Sequence, residues 1–157
     1  MLPFYVLIFT FVLAVIVHYW RTKTFAWAIS GRIALSVMLC LTAMGHFMFT
    51  EGMSKMLPHF IPQKAFVVYF TGLIEMAAAV GIHLHKYRKS TGILLILFFL
   101  LVLPANIKAS MDQLNYQTGQ YDGPGVNYLW FRVPFQLLLI AWTSWFVIKN
   151  GKEKLQH

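Results

Sequence analysis

One carboxylic acid, Glu75, stands in the middle of the long apolar run Val67–Leu84. A charged side chain at the centre of a bilayer costs at least about 2.5 kcal/mol, so an acid there is expected to face other helices and not lipid. Thr71, Gly72, Ala78 and Ala79 lie three and four positions away, giving its helix face small residues that let a second helix approach closely. A carboxyl so placed can hold and release a proton or hydrogen-bond the head of a bound molecule. His46 offers a second proton-exchanging group, while Asn106, Arg132 and Gln136 offer donors and acceptors that can fix a polar head. Arg132, Gln136 and Thr143 follow one another at spacings of four and seven, one stripe of a helix. Each residue also has a plainer reading. His46 can be a satisfied helix-end histidine, and Arg132 can snorkel to the membrane surface. Asn106 can serve carbonyls freed by Pro104, and Glu75 can be a structural acid bonded between helices.

These residues need elements to position them. Five apolar runs stand out, at about 2–20, 32–50, 65–84, 91–109 and 128–148. Each approaches the ~20 residues that a helix needs to cross the hydrocarbon. The first lacks a basic stretch before it and a small-residue cleavage site, and its positive charges, Arg21 and Lys23, come after it. That layout predicts a retained span with its N-terminus outside. Alternate loops divide the basic residues unequally. Arg21, Lys23, Arg32, Lys86, Arg88, Lys89, Lys149, Lys152 and Lys154 fall on one side, and Lys55, Lys64, Lys108 and Arg132 on the other. Nine against four predicts that the first side, with the C-terminus, is cytoplasmic. Glu75 then lies about ten residues, or roughly 15 Å, below the outer surface. His46, Asn106, Arg132 and Gln136 join it in the outer half from three other spans. Of the outward connections, 51–64 is amphipathic with two prolines, and 110–127 is polar and glycine-rich, an irregular outer loop.

Composition agrees with a single polytopic domain over 1–157. Of the 157 residues, 59% are hydrophobic and 11% charged, and the mean hydropathy is +0.63. The net charge of +8 sits in short clusters between apolar runs, without the basic stripe and stacking aromatics of a nucleic-acid surface. A single cysteine, Cys40, rules out an intrachain disulfide. No metal spacing occurs; His83 and His85 are two apart at a basic edge, where solvation accounts for them. A bis-histidine haem site would need a partner for His46 at its depth, and no other span supplies one. Nucleotide-binding loops and the nucleophile elbow are absent, and five spans without repeated halves do not resemble a transporter. No resident cofactor is expected.

From Arg32 to Phe146 the sequence resembles the DoxX-like family of small bacterial membrane proteins. The resemblance rests on Gly45-His46-Phe47, Met56-Leu57-Pro58, Ile61-Pro62, Thr71-Gly72-Leu73-Ile74-Glu75, Leu103-Pro104-Ala105-Asn106-Ile107, Arg132-Val133-Pro134-Phe135-Gln136 and Ile140-Ala141-Trp142, in that order. Phe49-Thr50-Glu51 departs from it where the family often has a proline. The resemblance implies an all-α, polytopic transmembrane bundle in the bacterial inner membrane, with a four-helix core to which the first span is an addition. Some members are linked to sulfur and quinone redox chemistry or oxidative-stress complexes, and distant eukaryotic relatives include receptor-assembly chaperones.

Two functions follow as expectations. In one, a pocket facing outward binds a small amphipathic, quinone-like molecule, with Glu75 and His46 moving protons and Asn106, Arg132 and Gln136 holding its head. In the other, the polar cluster is structural and the chain is a non-catalytic assembly partner of another membrane protein. Lipid is a partner under both, and nucleic acid under neither.

Overall fold

The computed structural model describes residues 1–149. Lys152 and Lys154, which contribute to the charge asymmetry, lie outside the described residues. Six α-helices follow in order: α1 (Leu2–Thr22), α2 (Trp27–Met48), α3 (Thr50–Met56), α4 (Lys64–Gly81), α5 (Arg88–Met111) and α6 (Leu129–Thr143). A 3₁₀ turn at Gly125–Tyr128 leads into α6, and a π-helical turn at Ser144–Ile148 continues it. Among the described residues the chain forms no strand, only an isolated bridge between Asn115 and Gln120.

Five segments are long and apolar enough to cross a membrane: Leu2–Thr22, Trp27–Met48, Lys64–Gly81, Arg88–Met111 and Gly125–Ile148. They match the five apolar runs in number and order, with ends that differ by up to five residues. The second helix begins at Trp27, which puts Arg32 inside α2, where it is buried. Its guanidinium lies at the π turn, with Nη1 at 3.5 Å from the Phe146 carbonyl. The third helix stops at Gly81, before the expected Leu84. Thr91 packs so closely there that a Cβ on Gly81 would lie 2.7 Å from its Oγ1. The chain then turns through residues 82–87, and Arg88 Nε donates to the Ile82 carbonyl at 3.2 Å.

Helices α2, α4, α5 and α6 close a ring: α2 packs along α4, α4 meets α5, α5 packs along α6, and the π turn returns to α2. Leu35, Met38 and Leu39 of α2, Leu95 and Phe99 of α5, and Leu139 of α6 fill its centre. Two close approaches hold the ring. Gly31 leaves room for the Phe146 ring, which a Cβ would meet at 2.4 Å, and the Gly31 carbonyl accepts from Trp142 Nε1 at 3.0 Å. Outside the ring, α1 lies against α2 and inserts Phe4 among Phe131 and Phe135 and Phe11 among Trp142 and Phe146. Only Leu7 of α1 is buried.

Polarity is inverted relative to a water-soluble core. Glu75, Asn106, Gln136, Thr143, Ser30 and Arg32 are buried, whereas Phe9, Leu73, Leu94, Leu101 and Leu137 are all more than half exposed. At one end, α3 and the 112–124 loop cap the ring. Gly52 lies against the Tyr116 backbone, Lys55 Nζ donates to the Gly119 carbonyl at 2.9 Å, and Leu114 is buried. The loop is irregular, as expected, and it is also a packed cover, held by contacts that composition does not display.

Candidate functional site

The site begins where α2 and α4 touch most closely. A Cβ on Gly72 would lie 2.9 Å from His46 Cβ and 3.4 Å from the Ala43 carbonyl. One turn further along α4, that close approach brings Glu75 beside His46, with Nδ1 and Oε2 3.6 Å apart. The imidazole is already oriented: His46 Nδ1 bonds the Thr42 carbonyl at 2.9 Å. A carbonyl only accepts, so Nδ1 carries the hydrogen and the neutral ring keeps its lone pair at Nε2. The Nδ1 hydrogen therefore does not serve Glu75. Glu75 Oε2 is buried without a hydrogen-bond partner among the described residues. Such an atom in a native fold calls for a reason, because an unmet buried acceptor costs about 1–3 kcal/mol.

A second pair forms between α5 and α6. Arg132 Nη2 donates to Asn106 Oδ1 at 2.7 Å, and its guanidinium lies 5.9 Å from the Tyr128 ring centre. One turn on, Gln136 Nε2 donates to the Phe99 carbonyl. Ser110 Oγ donates to the Asn106 carbonyl, bracing the end of α5 beyond Pro104. Asn106 thus spends its side chain on Arg132, and it is Gln136 that serves an α5 carbonyl. The Arg132 charge acts on Glu75, yet the two groups form no ion pair within 4.0 Å among the described residues.

All five residues singled out from sequence therefore turn toward the bundle. Glu75, Asn106 and Gln136 are buried, while His46 and Arg132 are half-buried. Thr143 at the far end of the α6 stripe is fully buried, its hydroxyl bonded to the Leu139 carbonyl. The geometry brings the five together as two pairs and a tie between helices, not as one contiguous hydrogen-bond network. Two neighbours went unread in the sequence. Thr42 stands beside the Glu75 carboxyl, although its hydroxyl also contacts the Met38 and Leu39 carbonyls; its position four residues before His46 was the available signal. Tyr116, in the covering loop, lies within the field of Arg132, and burial raises its phenol above the ordinary value while Arg132 pulls the other way. At the opposite end, His83 is not merely solvated, because its Nε2 lies 2.8 Å from Ser36 Oγ on α2.

The close approach at Gly72 carries a prediction. Gly72→Ala should lower thermal stability, because overpacking typically costs 1–3 kcal/mol, more than the ~1 kcal/mol of helix propensity that alanine returns. The displaced atom is His46 Cβ, so the imidazole signals of His46 in NMR spectra should shift as well. An unchanged melting temperature and an unmoved His46 would show that α2 and α4 are not in such close contact.

This arrangement defines a class: an all-helical bundle with five membrane-length helices and a buried polar cluster near one end of its ring. The chain belongs to the family described as a domain of unknown function, DUF8561, which residues 35–147 match. The matched stretch runs from α2 to the π turn, contains His46, Glu75, Asn106, Arg132 and Gln136, and leaves out α1. No curated protein and no solved structure matches the chain.

Proposed function

We propose that the chain is a multi-pass membrane protein, similar to the DoxX-like family, that binds a small amphipathic molecule with a quinone-like head in the outer half of its helix ring. The observation that carries this reading is Glu75 Oε2, the one fully buried side-chain oxygen or nitrogen among the described residues that has no hydrogen-bond partner. A carboxyl accepts a hydrogen bond when ionised and donates one when protonated. It therefore suits a head that alternates between carbonyl and hydroxyl, as a quinone and its reduced form do. The His46 ring lies beside the carboxyl and keeps a lone pair at Nε2 for proton exchange, and Arg132, held by Asn106, supplies a fixed donor arm. Electrons would come from the diffusible molecule itself or from a partner protein. Insertion in a bilayer is supported by the apolar outward faces of the helices over a polar interior. The four helices of the ring form the core, and α1 is an added span lying against it. The test is the melting temperature of the purified protein with a panel of quinones and membrane lipids. A compound that binds only the folded state raises it, because it stabilises the fold by about 2.7 kcal/mol at a hundredfold excess over its Kd. No shift with any quinone would remove the ligand reading.

The second reading, a non-catalytic assembly partner, draws on the Arg132–Asn106 and Gln136–Phe99 bonds, which close within the bundle and lock α5 to α6. Loss of a co-purifying membrane partner in variants of these residues, without any ligand response in the wild type, would favour it.

The topology proposed places the N-terminus outside and the C-terminus in the cytoplasm of the bacterial inner membrane. Excluding Lys152 and Lys154, the asymmetry in Lys and Arg is still seven against four. An alkaline phosphatase fused after the last residue should be inactive and a cytoplasmic reporter at the same point active. The reverse result would invert the bundle.

A further inference from the structure

A cationic hollow opens at the covered end of the bundle, with a volume of about 460 Å³, lined by Lys55, His59, Lys64, Lys108, Asp112 and Tyr121. That volume falls within the roughly 300–1,000 Å³ of small-molecule sites. Its three ammonium groups come from three elements: Lys55 from α3, Lys64 from the first position of α4 and Lys108 from the last turn of α5. One lining carboxylate, Asp112, faces them. Glu51 also reaches Lys55 at 3.4 Å, but its side chain is 88% exposed, so the pair is weak.

Like charges gathered in one hollow repel and would ordinarily swing out into water. These lysines are half-buried and held in place by backbone carbonyls. Lys55 Nζ donates to Gly119 at 2.9 Å, Lys64 Nζ to Leu57 at 3.2 Å, and Lys108 Nζ approaches Lys55 at 3.5 Å and bonds Asp112. An ammonium has three donors. After these contacts, among the described residues, two donors remain on Lys64 and one each on Lys55 and Lys108. The opening turn of α4 adds to the positive potential, having no acidic residue and no side-chain cap. Because the lysines are already fixed, an anion entering the hollow loses little of its binding free energy to ordering them.

We propose that this hollow binds a phosphate-bearing anion. Phe60, next to His59, and Phe66, two residues after Lys64, are 84% and 64% exposed, so the hollow lies where a lipid headgroup and a soluble phosphate can both reach it. The site shares no residue with the Glu75 cluster, and its test is separate. The full-length protein in non-ionic detergent is titrated with short-chain phosphatidylglycerol, phosphatidylcholine and inorganic phosphate, with binding read by native mass spectrometry and melting temperature. Phosphatidylglycerol is expected to bind and stabilise the wild type, and Lys64→Ala to weaken it about tenfold, the loss of a charge-assisted hydrogen bond. Lys64→Arg should retain most of the affinity, which separates lost charge from a damaged fold. Binding of phosphatidylglycerol without inorganic phosphate assigns the site to a headgroup, and binding of both assigns it to phosphate in general. Equal binding of phosphatidylcholine and phosphatidylglycerol with no response to phosphate, or an unchanged affinity in a folded Lys64→Ala, would overturn the proposal.

Discussion

Glu75→Gln should fold, melt at or above the wild-type temperature, and lose the ligand response of the wild type. An ionised carboxylate in a buried site carries a desolvation penalty of several kcal/mol, which Thr42 and the Arg132 charge offset only in part while Oε2 has no hydrogen-bond partner among the described residues. The amide has nearly the same shape, so the contact of α4 with α2 through Gly72 is kept. It is uncharged and exchanges no proton, so the alternation between donor and acceptor is gone. In the presence of a ligand at a hundredfold excess over its Kd, the wild type gains about 2.7 kcal/mol and the variant close to none. Paired melting curves of the two proteins check both halves of this prediction. A variant that is strongly destabilised without ligand would mean that Glu75 makes a structural bond.

Arg132→Leu should be the more damaging single change to the fold. It takes away the donor to Asn106 Oδ1, and Asn106 is only 7% exposed, so water cannot replace it freely. An acceptor left unmet in that way costs about 1–3 kcal/mol. The double variant Arg132→Leu with Asn106→Leu should recover much of the loss, because deleting both partners leaves no orphaned group. A double-mutant cycle on melting free energies measures the coupling, expected between 0.5 and 3 kcal/mol for groups in contact. Ligand response should vanish in both variants, since the donor arm is missing from each. Full additivity of the two substitutions would show that the pair is not formed.

The extent to which this site was legible from sequence follows from the range of the interactions. Glu75 was found because an acid in an apolar run has few acceptable surroundings, and its small-residue flank predicted a close helix contact without saying which helix makes it; α2 does. The α6 stripe of Arg132, Gln136 and Thr143 was legible because helical spacing alone sets a common face. What each side chain bonds was not legible. That Gln136 reaches the Phe99 carbonyl while Asn106 turns to Arg132 depends on the relative rotation of α5 and α6. Arg32 was placed at the very start of the second apolar run because a charge normally ends one; α2 begins five residues earlier, and the π turn brings a carbonyl to the Arg32 guanidinium. The joining of Lys55, Lys64 and Lys108 around one hollow, across more than fifty residues of chain, had no local signature at all.

The central claim is that Glu75 belongs to a site that a lipophilic molecule occupies. Its most direct measurement is labelling of membranes with a lipophilic carbodiimide, which modifies carboxyls in apolar surroundings, with adducts located by peptide mass spectrometry. The account predicts an adduct on Glu75, its absence in Glu75→Gln, and slower labelling in the presence of the quinone that raises the melting temperature. Labelling of Glu75 at the same rate with and without every quinone tested, or no labelling of Glu75 at all, would contradict it.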